Sequence, residues 1–273
     1  MDPLGIRSRL AVLRRLSGAH PYNRSRRARA KEVAAWRAFD SVAVARGCRR
    51  EHVLGIGDSH LAALPDVVVP GLWIRTFGIG GATASGIQNP ASRTRAREIF
   101  EARLALAPRW QHLVLGLGEV DCGFVIWHRA KAQGLDVTEQ LEVVLDRYAS
   151  FIEAVFGSGF RSVSVLSATL PTVPSYGEAS GNPAIAARNA IDVPLRERTA
   201  LTQLYNDGLA DRCRALGATF FDTTSEQLDP GTGMVSEKLT VKDDPHLNLS
   251  GYAEILSRVL AGPRAPWNSP VQS

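Results

Sequence analysis

The chain has 273 residues, 45% hydrophobic and 22% charged, enough length and apolar content to bury one sizeable core. No apolar run approaches the ~18–20 residues that would carry a helix across a bilayer, which excludes an integral helical membrane protein. The formal charge of +5 is unevenly spread: residues 1–50 hold 13 Lys and Arg against 3 Asp and Glu, and the remainder is acidic overall. Three scattered cysteines, Cys48, Cys122 and Cys213, fit reduced thiols better than a disulfide framework or a zinc site. The opening Met1-Asp2-Pro3-Leu4-Gly5-Ile6-Arg7 lacks the apolar stretch and cleavage site of a secretory signal, so the cytoplasm is the expected compartment.

Residues 1–29 form a basic leader. Its cluster, from Arg24 to Lys31, has two readings: a patch for anionic lipid heads or a partner's acidic face, or a solvated helix start. Arginine outnumbers lysine 28 to 4 over the chain, a bias that dilutes the first reading. No aromatics interleave with the cluster, so nucleic acid is not an expected partner. Residues 30–50 follow as an N-terminal helix with Val33, Trp36, Phe39 and Ala43 on one face. The main domain is expected over 51–262, with 263–273 as a tail.

Within that domain, strand-like runs fall at 52–56, 72–77, 112–117, 162–167 and 218–221. Helical periodicity occupies 92–106, 138–155, 196–215 and 249–261. Alternation of this kind predicts a three-layer α/β/α, flavodoxin-like domain with a mostly parallel five-stranded sheet. Residues 170–194, rich in Pro, Gly, Ser and Asn, are too long for a simple connection and read as a lid or substrate loop.

Two segments carry the chemistry. The apolar run His52-Val53-Leu54-Gly55-Ile56 leads into Gly57-Asp58-Ser59-His60, which sets Ser59 at the carboxyl end of a buried strand, where open α/β sheets present ligands. Near the other end stands Asp243-Asp244-Pro245-His246. Serine is a poor nucleophile until a base takes its proton, and Asp-x-x-His supplies an imidazole with a carboxylate to orient it. Ser59, His246 and Asp243 are therefore the candidate catalytic residues.

The order and context of these segments resemble the SGNH (GDSL-like) hydrolase superfamily of esterases, lipases and carbohydrate O-acyltransferases or deacetylases. Gly57-Asp58-Ser59-His60 is similar to its first block, with His60 where leucine is usual. Phe77-Gly78-Ile79-Gly80-Gly81-Ala82-Thr83 is similar to the second, and Asp243 to His246 to the last. The resemblance spans about residues 50–262. It implies that the Ser59 and Gly81 amides form the oxyanion hole. In place of the family's third block, Gly-x-Asn-Asp, the chain reads Gly118-Glu119-Val120-Asp121-Cys122. That puts Val120, which cannot donate, where an asparagine amide is the usual third oxyanion donor.

Asp58, His60, Glu119, Asp121, Trp127 and His128 are candidate substrate-binding residues. Glu119 and Asp121 equally suit an acidic loop that only holds itself together. Trp127 and His128 could stack on a sugar or line a buried helix face. Arg188, Arg196 and Arg198 bracket the end of the long loop as solvated arginines or as a clamp for an acidic substrate group. Asn206 reads as structural, and Cys122 as a small buried residue. No phosphate loop or metal-ligand cluster stands out, so no cofactor is expected.

The expected function is a serine-dependent ester hydrolase, deacetylase or O-acyltransferase acting on a small-molecule or glycan ester. The competing reading is a catalytically impaired SGNH-fold glycan-binding or scaffold protein, supported by Val120. The basic N-terminus would dock on an anionic membrane surface or a glycan-synthesis partner.

Overall fold

A computed structural model describes residues 51–67, 69, 72–172, 191–241 and 244–268. The basic leader, the helix expected over 30–50 and most of the long loop lie outside the described residues.

The chain alternates strand and helix. Strand β1 (Glu51–Gly57) is followed by a 3-10 segment over Ser59–Asp66, β2 (Leu72–Gly78), α1 (Ala96–Leu106) and β3 (His112–Gly116). A π turn at Asp121–Val125 leads into α2 (Ile126–Gln133), then α3 (Val137–Phe156) and β4 (Ser162–Leu166). The last elements are α4 (Leu195–Leu216), β5 (Thr219–Phe221), the short α5 (Thr224–Gln227) and α6 (Leu249–Leu260). Among the described residues all five strands are parallel, in the order β2-β1-β3-β4-β5.

Side-chain alternation along the central strands divides the core in two. Leu54, Ile56, Leu113, Leu115, Val163 and Val165 face α1, α3 and α4 in one apolar layer. Val53, Val114 and Leu166 face the opposite side, with Leu61, Leu64, Ile255, Leu256 and Trp267. This is the three-layer arrangement expected from the sequence, and it buries apolar residues against both sheet faces, as a parallel sheet requires.

The helix ends follow local chemistry. The Asp136 carboxylate accepts the Thr138 and Glu139 N–H groups at 2.7 and 3.1 Å, opening α3. Asn248 accepts the Gly251 N–H at 3.1 Å, opening α6. Helix α1 begins at Ala96, later than the periodicity suggested, because Arg95 takes a left-handed conformation at φ 48° and breaks the run. Helix α2 adds to the helical runs read from periodicity; its eight residues follow the π turn with only Ile126 and Ala130 buried, too short a pattern to declare a period.

The register sets the floor of the site. Gly57 pairs with Gly78 on one side and Gly116 on the other, so three glycines end three adjacent strands at one level. A Cβ at Gly57 would lie 1.9 Å from the Gly116 carbonyl oxygen; only glycine permits that approach. Beyond them the Asp58 N–H still donates to the Gly116 carbonyl at 3.1 Å, and the Ile79 N–H to that of Gly57 at 2.9 Å.

Candidate active site

Three strand-end loops and the segment before α6 converge on this glycine floor. Asp58 is extended at φ −84° and ψ −167°, and its side chain accepts the His60 N–H at 2.9 Å. That contact caps the 3-10 turn and leaves Ser59 half-buried at the rim. Ser59 Oγ lies 2.8 Å from His246 Nε2, although 187 positions separate the two residues. The other ring nitrogen, Nδ1, lies 2.5 Å from Asp244 Oδ1, which also accepts the His246 backbone N–H at 2.8 Å.

Among the described residues the carboxylate on the imidazole is that of Asp244; the sequence pointed to Asp243. Asp243 lies outside the described residues. Two adjacent aspartates left the choice to spacing, and a backbone bond from His246 favours the carboxylate two positions before it. Burial pushes the Asp244 carboxyl up, but the backbone and ring bonds from His246, with the charges of His246 and His60, outweigh it and hold it below its usual value.

Gly81 is the third residue of a tight turn in which the Ala82 N–H donates to the Ile79 carbonyl at 3.0 Å. Its φ of +73° is the third-residue conformation of a type II turn, which glycine adopts without strain. The turn follows β2 beside the Ser59 loop.

Val120 precedes the π turn, half-exposed, with no polar atom to offer. Its neighbours are committed inside the protein. Asp121, fully buried, accepts the Ala84 and Ser85 N–H groups at 2.6 and 3.0 Å, tying the loop after β3 to the loop after β2. Burial raises its pKa against the opposing bonds from Ser85 and Ala84 and the charge of Arg129. Glu119, 3% exposed, places Oε2 3.4 Å from His60 Nε2. Asp58 completes a group of three buried carboxylates. Burial raises its pKa to about 6, His60 and its backbone N–H oppose the shift, and the charges of Glu119 and Asp121 add to it.

The remaining candidates sit further out. Trp127 donates its indole N–H to the Cys122 carbonyl at 2.8 Å and packs on the core. His128 is exposed and stacks on Phe124 with ring centroids 5.2 Å apart. Cys122 is fully buried, and burial raises its thiol pKa well above the usual value. Arg196 is exposed, whereas Arg198 is buried, with Nε donating to the Val193 carbonyl at 3.1 Å; Arg188 lies outside the described residues. Asn206 is structural, as read. Its Oδ1 accepts the Ala168 N–H at 2.8 Å, and its Nδ2 donates to the Ala168 carbonyl and to Thr224 Oγ1, both at 3.0 Å. Sequence reasoning missed Thr169, whose Oγ1 lies 3.1 Å from His60 Nδ1; a lone threonine after a strand carries no signal. Among the described residues no group of three or more His, Cys, Asp or Glu could hold a metal ion, and no helix is long and apolar enough to cross a membrane.

The fold is that of the SGNH, or GDSL-like, hydrolases. A GDSL-like lipase from Bacteroides thetaiotaomicron VPI-5482 superposes with a TM-score of 0.52 at 16% identity, covering 83% of this chain and 95% of that one. A candidate platelet activating factor from Streptococcus pneumonia gives 0.51 at 18% identity, over 86% and 98% of the two chains. No protein-family model matches the sequence, and neither does any curated protein sequence.

Proposed function

We propose that the protein is a serine-dependent ester hydrolase or deacetylase, or an O-acyltransferase, acting on an acylated carbohydrate or related metabolite. One observation carries this reading: the continuous chain from Ser59 Oγ through His246 to Asp244, with contacts of 2.8 and 2.5 Å. Ser59 Oγ attacks the ester carbonyl carbon while His246 Nε2 takes its proton, and Asp244 supports the imidazolium that forms. The Ser59 and Gly81 amides receive the charge developing on the carbonyl oxygen. His246 then gives the proton to the departing alcohol, leaving an acyl group on Ser59. Water or a sugar hydroxyl attacks that acyl carbon, His246 takes the incoming proton, and Ser59 Oγ is reprotonated as the product departs. Water makes the protein a hydrolase; a sugar hydroxyl makes it a transferase.

Val120 supports the rival reading of an impaired, glycan-binding member of the fold, because the loss of one oxyanion donor costs about 10²–10³ in turnover. Labelling with a fluorophosphonate probe decides between them. Ser59-dependent labelling supports the enzyme; no labelling of a folded protein favours the binding module. The proposed substrate is made inside the cell, in keeping with the expected cytoplasmic location. The basic residues 1–29 would serve as a dock for anionic membrane or a glycan-synthesis partner, which salt-sensitive liposome binding by the full chain and loss of that binding on truncation would test.

A further inference from the structure

The proposed base rides on a loop, and its wall belongs to the sheet. His246 is about one-third exposed, on the stretch before α6, whereas His60 is 7% exposed and follows the nucleophile directly at the β1 end. The two rings lie 4.9 Å apart between centroids, tilted by 41°. Both His60 nitrogens are engaged from other elements: Nδ1 by Thr169 Oγ1 at 3.1 Å, from the loop after β4, and Nε2 by Glu119 Oε2 at 3.4 Å, from the loop after β3. Three strand-end loops therefore fix one imidazole in position and tilt. Glu119 has been carried into the interior, where an ionised carboxylate is strongly disfavoured without a partner.

We propose that His60, held by Glu119 and Thr169, is a positioning residue for His246, a rigid ring against which the base is set for Ser59. The proposal rests on the catalytic reading above and adds a residue pair to it. The physical need is specific. A base on a loop samples orientations, and misplacement of about 1 Å can reduce turnover about 10²-fold. A side chain that the sheet already immobilises removes part of that freedom before substrate arrives.

Four variants test it: Glu119→Ala, Glu119→Gln, His60→Leu and the apolar pair His60→Leu with Glu119→Leu. Glu119→Ala and His60→Leu should each lower kcat for p-nitrophenyl acetate about 10- to 100-fold with KM within about twofold. Glu119→Gln, which keeps a group able to bond Nε2, should retain most of kcat. The apolar pair removes the buried charge and should melt near the wild type, yet its kcat should stay low. Recovery of kcat in that pair would mean that the two residues only satisfy each other, and would overturn the proposal. So would an unchanged kcat in His60→Leu.

A second measurement does not depend on turnover. The Nδ1 proton shared by His246 and Asp244 should give a low-field proton resonance, assigned by its loss in Asp244→Asn. It should broaden or shift in Glu119→Ala, and an unchanged resonance there would overturn the proposal. Failure of the wild type to label with fluorophosphonate sinks the catalytic reading instead and leaves this measurement in force.

Discussion

Asp244 grips His246 twice through one oxygen: Oδ1 accepts the main-chain N–H at 2.8 Å and faces ring Nδ1 at 2.5 Å. A carboxylate at Nδ1 requires the ring proton there. Nε2 is then left as the acceptor for the Ser59 hydroxyl, the tautomer a general base needs. Asp244→Asn can present an amide donor to Nδ1 and reverse that tautomer. It should lower kcat about 10⁴-fold, whereas Asp243→Asn should stay within a few-fold of wild type in the same ester assay. The opposite ranking would restore the carboxylate that spacing alone suggested.

Ser59 and His246 should act as one unit. Ser59→Ala and His246→Ala should each abolish fluorophosphonate labelling and ester turnover without altering the circular dichroism spectrum. The double variant should be little worse than either single one. Additive losses would mean that the two groups do not share a step.

A donor at the third-block position should help. Val120 leaves the oxyanion with two proposed amide donors, so p-nitrophenyl acetate turnover should be slow, and Val120→Asn should raise kcat by up to about 10²-fold. Asp121 fixes this loop to Ala84 and Ser85, so the substitution enters a held backbone. An unchanged kcat would indicate that side chain 120 does not face the reacting oxygen.

Asp58 should make stability depend on pH. Its pKa is raised from 3.8 to about 6 by burial. Below pH 4 the carboxyl is protonated in both states. Between about pH 4 and 6 the unfolded chain loses its proton first, so this group's contribution falls as pH rises; above 6 the deficit is constant, of the order of 3 kcal/mol. Asp58→Asn keeps an acceptor for the His60 N–H and removes the ionisation. Its melting temperature should exceed that of wild type more at pH 7.5 than at pH 4.5. An equal difference at the two pH values would contradict the assignment.

The strands were legible because buried parallel strands read as short apolar runs, and β1, β3 and β4 fall within a residue or two of their expected bounds. Ser59 and His246 were legible because the strand end and the α6 start fix their surroundings. The Asp244 contact was not, since the spacing pointed to Asp243 and it is main-chain geometry that sets the Asp244 carboxylate on the ring. Nor was the His60, Glu119 and Thr169 cluster, whose members come from three loops with no common spacing. The π turn escaped because Asp121 to Val125 satisfies neither a helical nor a strand period.

The Gly57 and Gly116 contact binds the strand that leads to Ser59 to the centre of the sheet, while His246 sits on the stretch between Leu239 and α6, anchored by the Asn248 N–H to the Leu239 carbonyl at 2.8 Å. The proposed nucleophile and base should thus belong to regions with different opening energies. Amides of β1 and β3 should exchange with solvent only on global unfolding, those of 246–248 far sooner. Mild urea should then extinguish catalysis while the sheet is still intact, making the loss reversible on dilution.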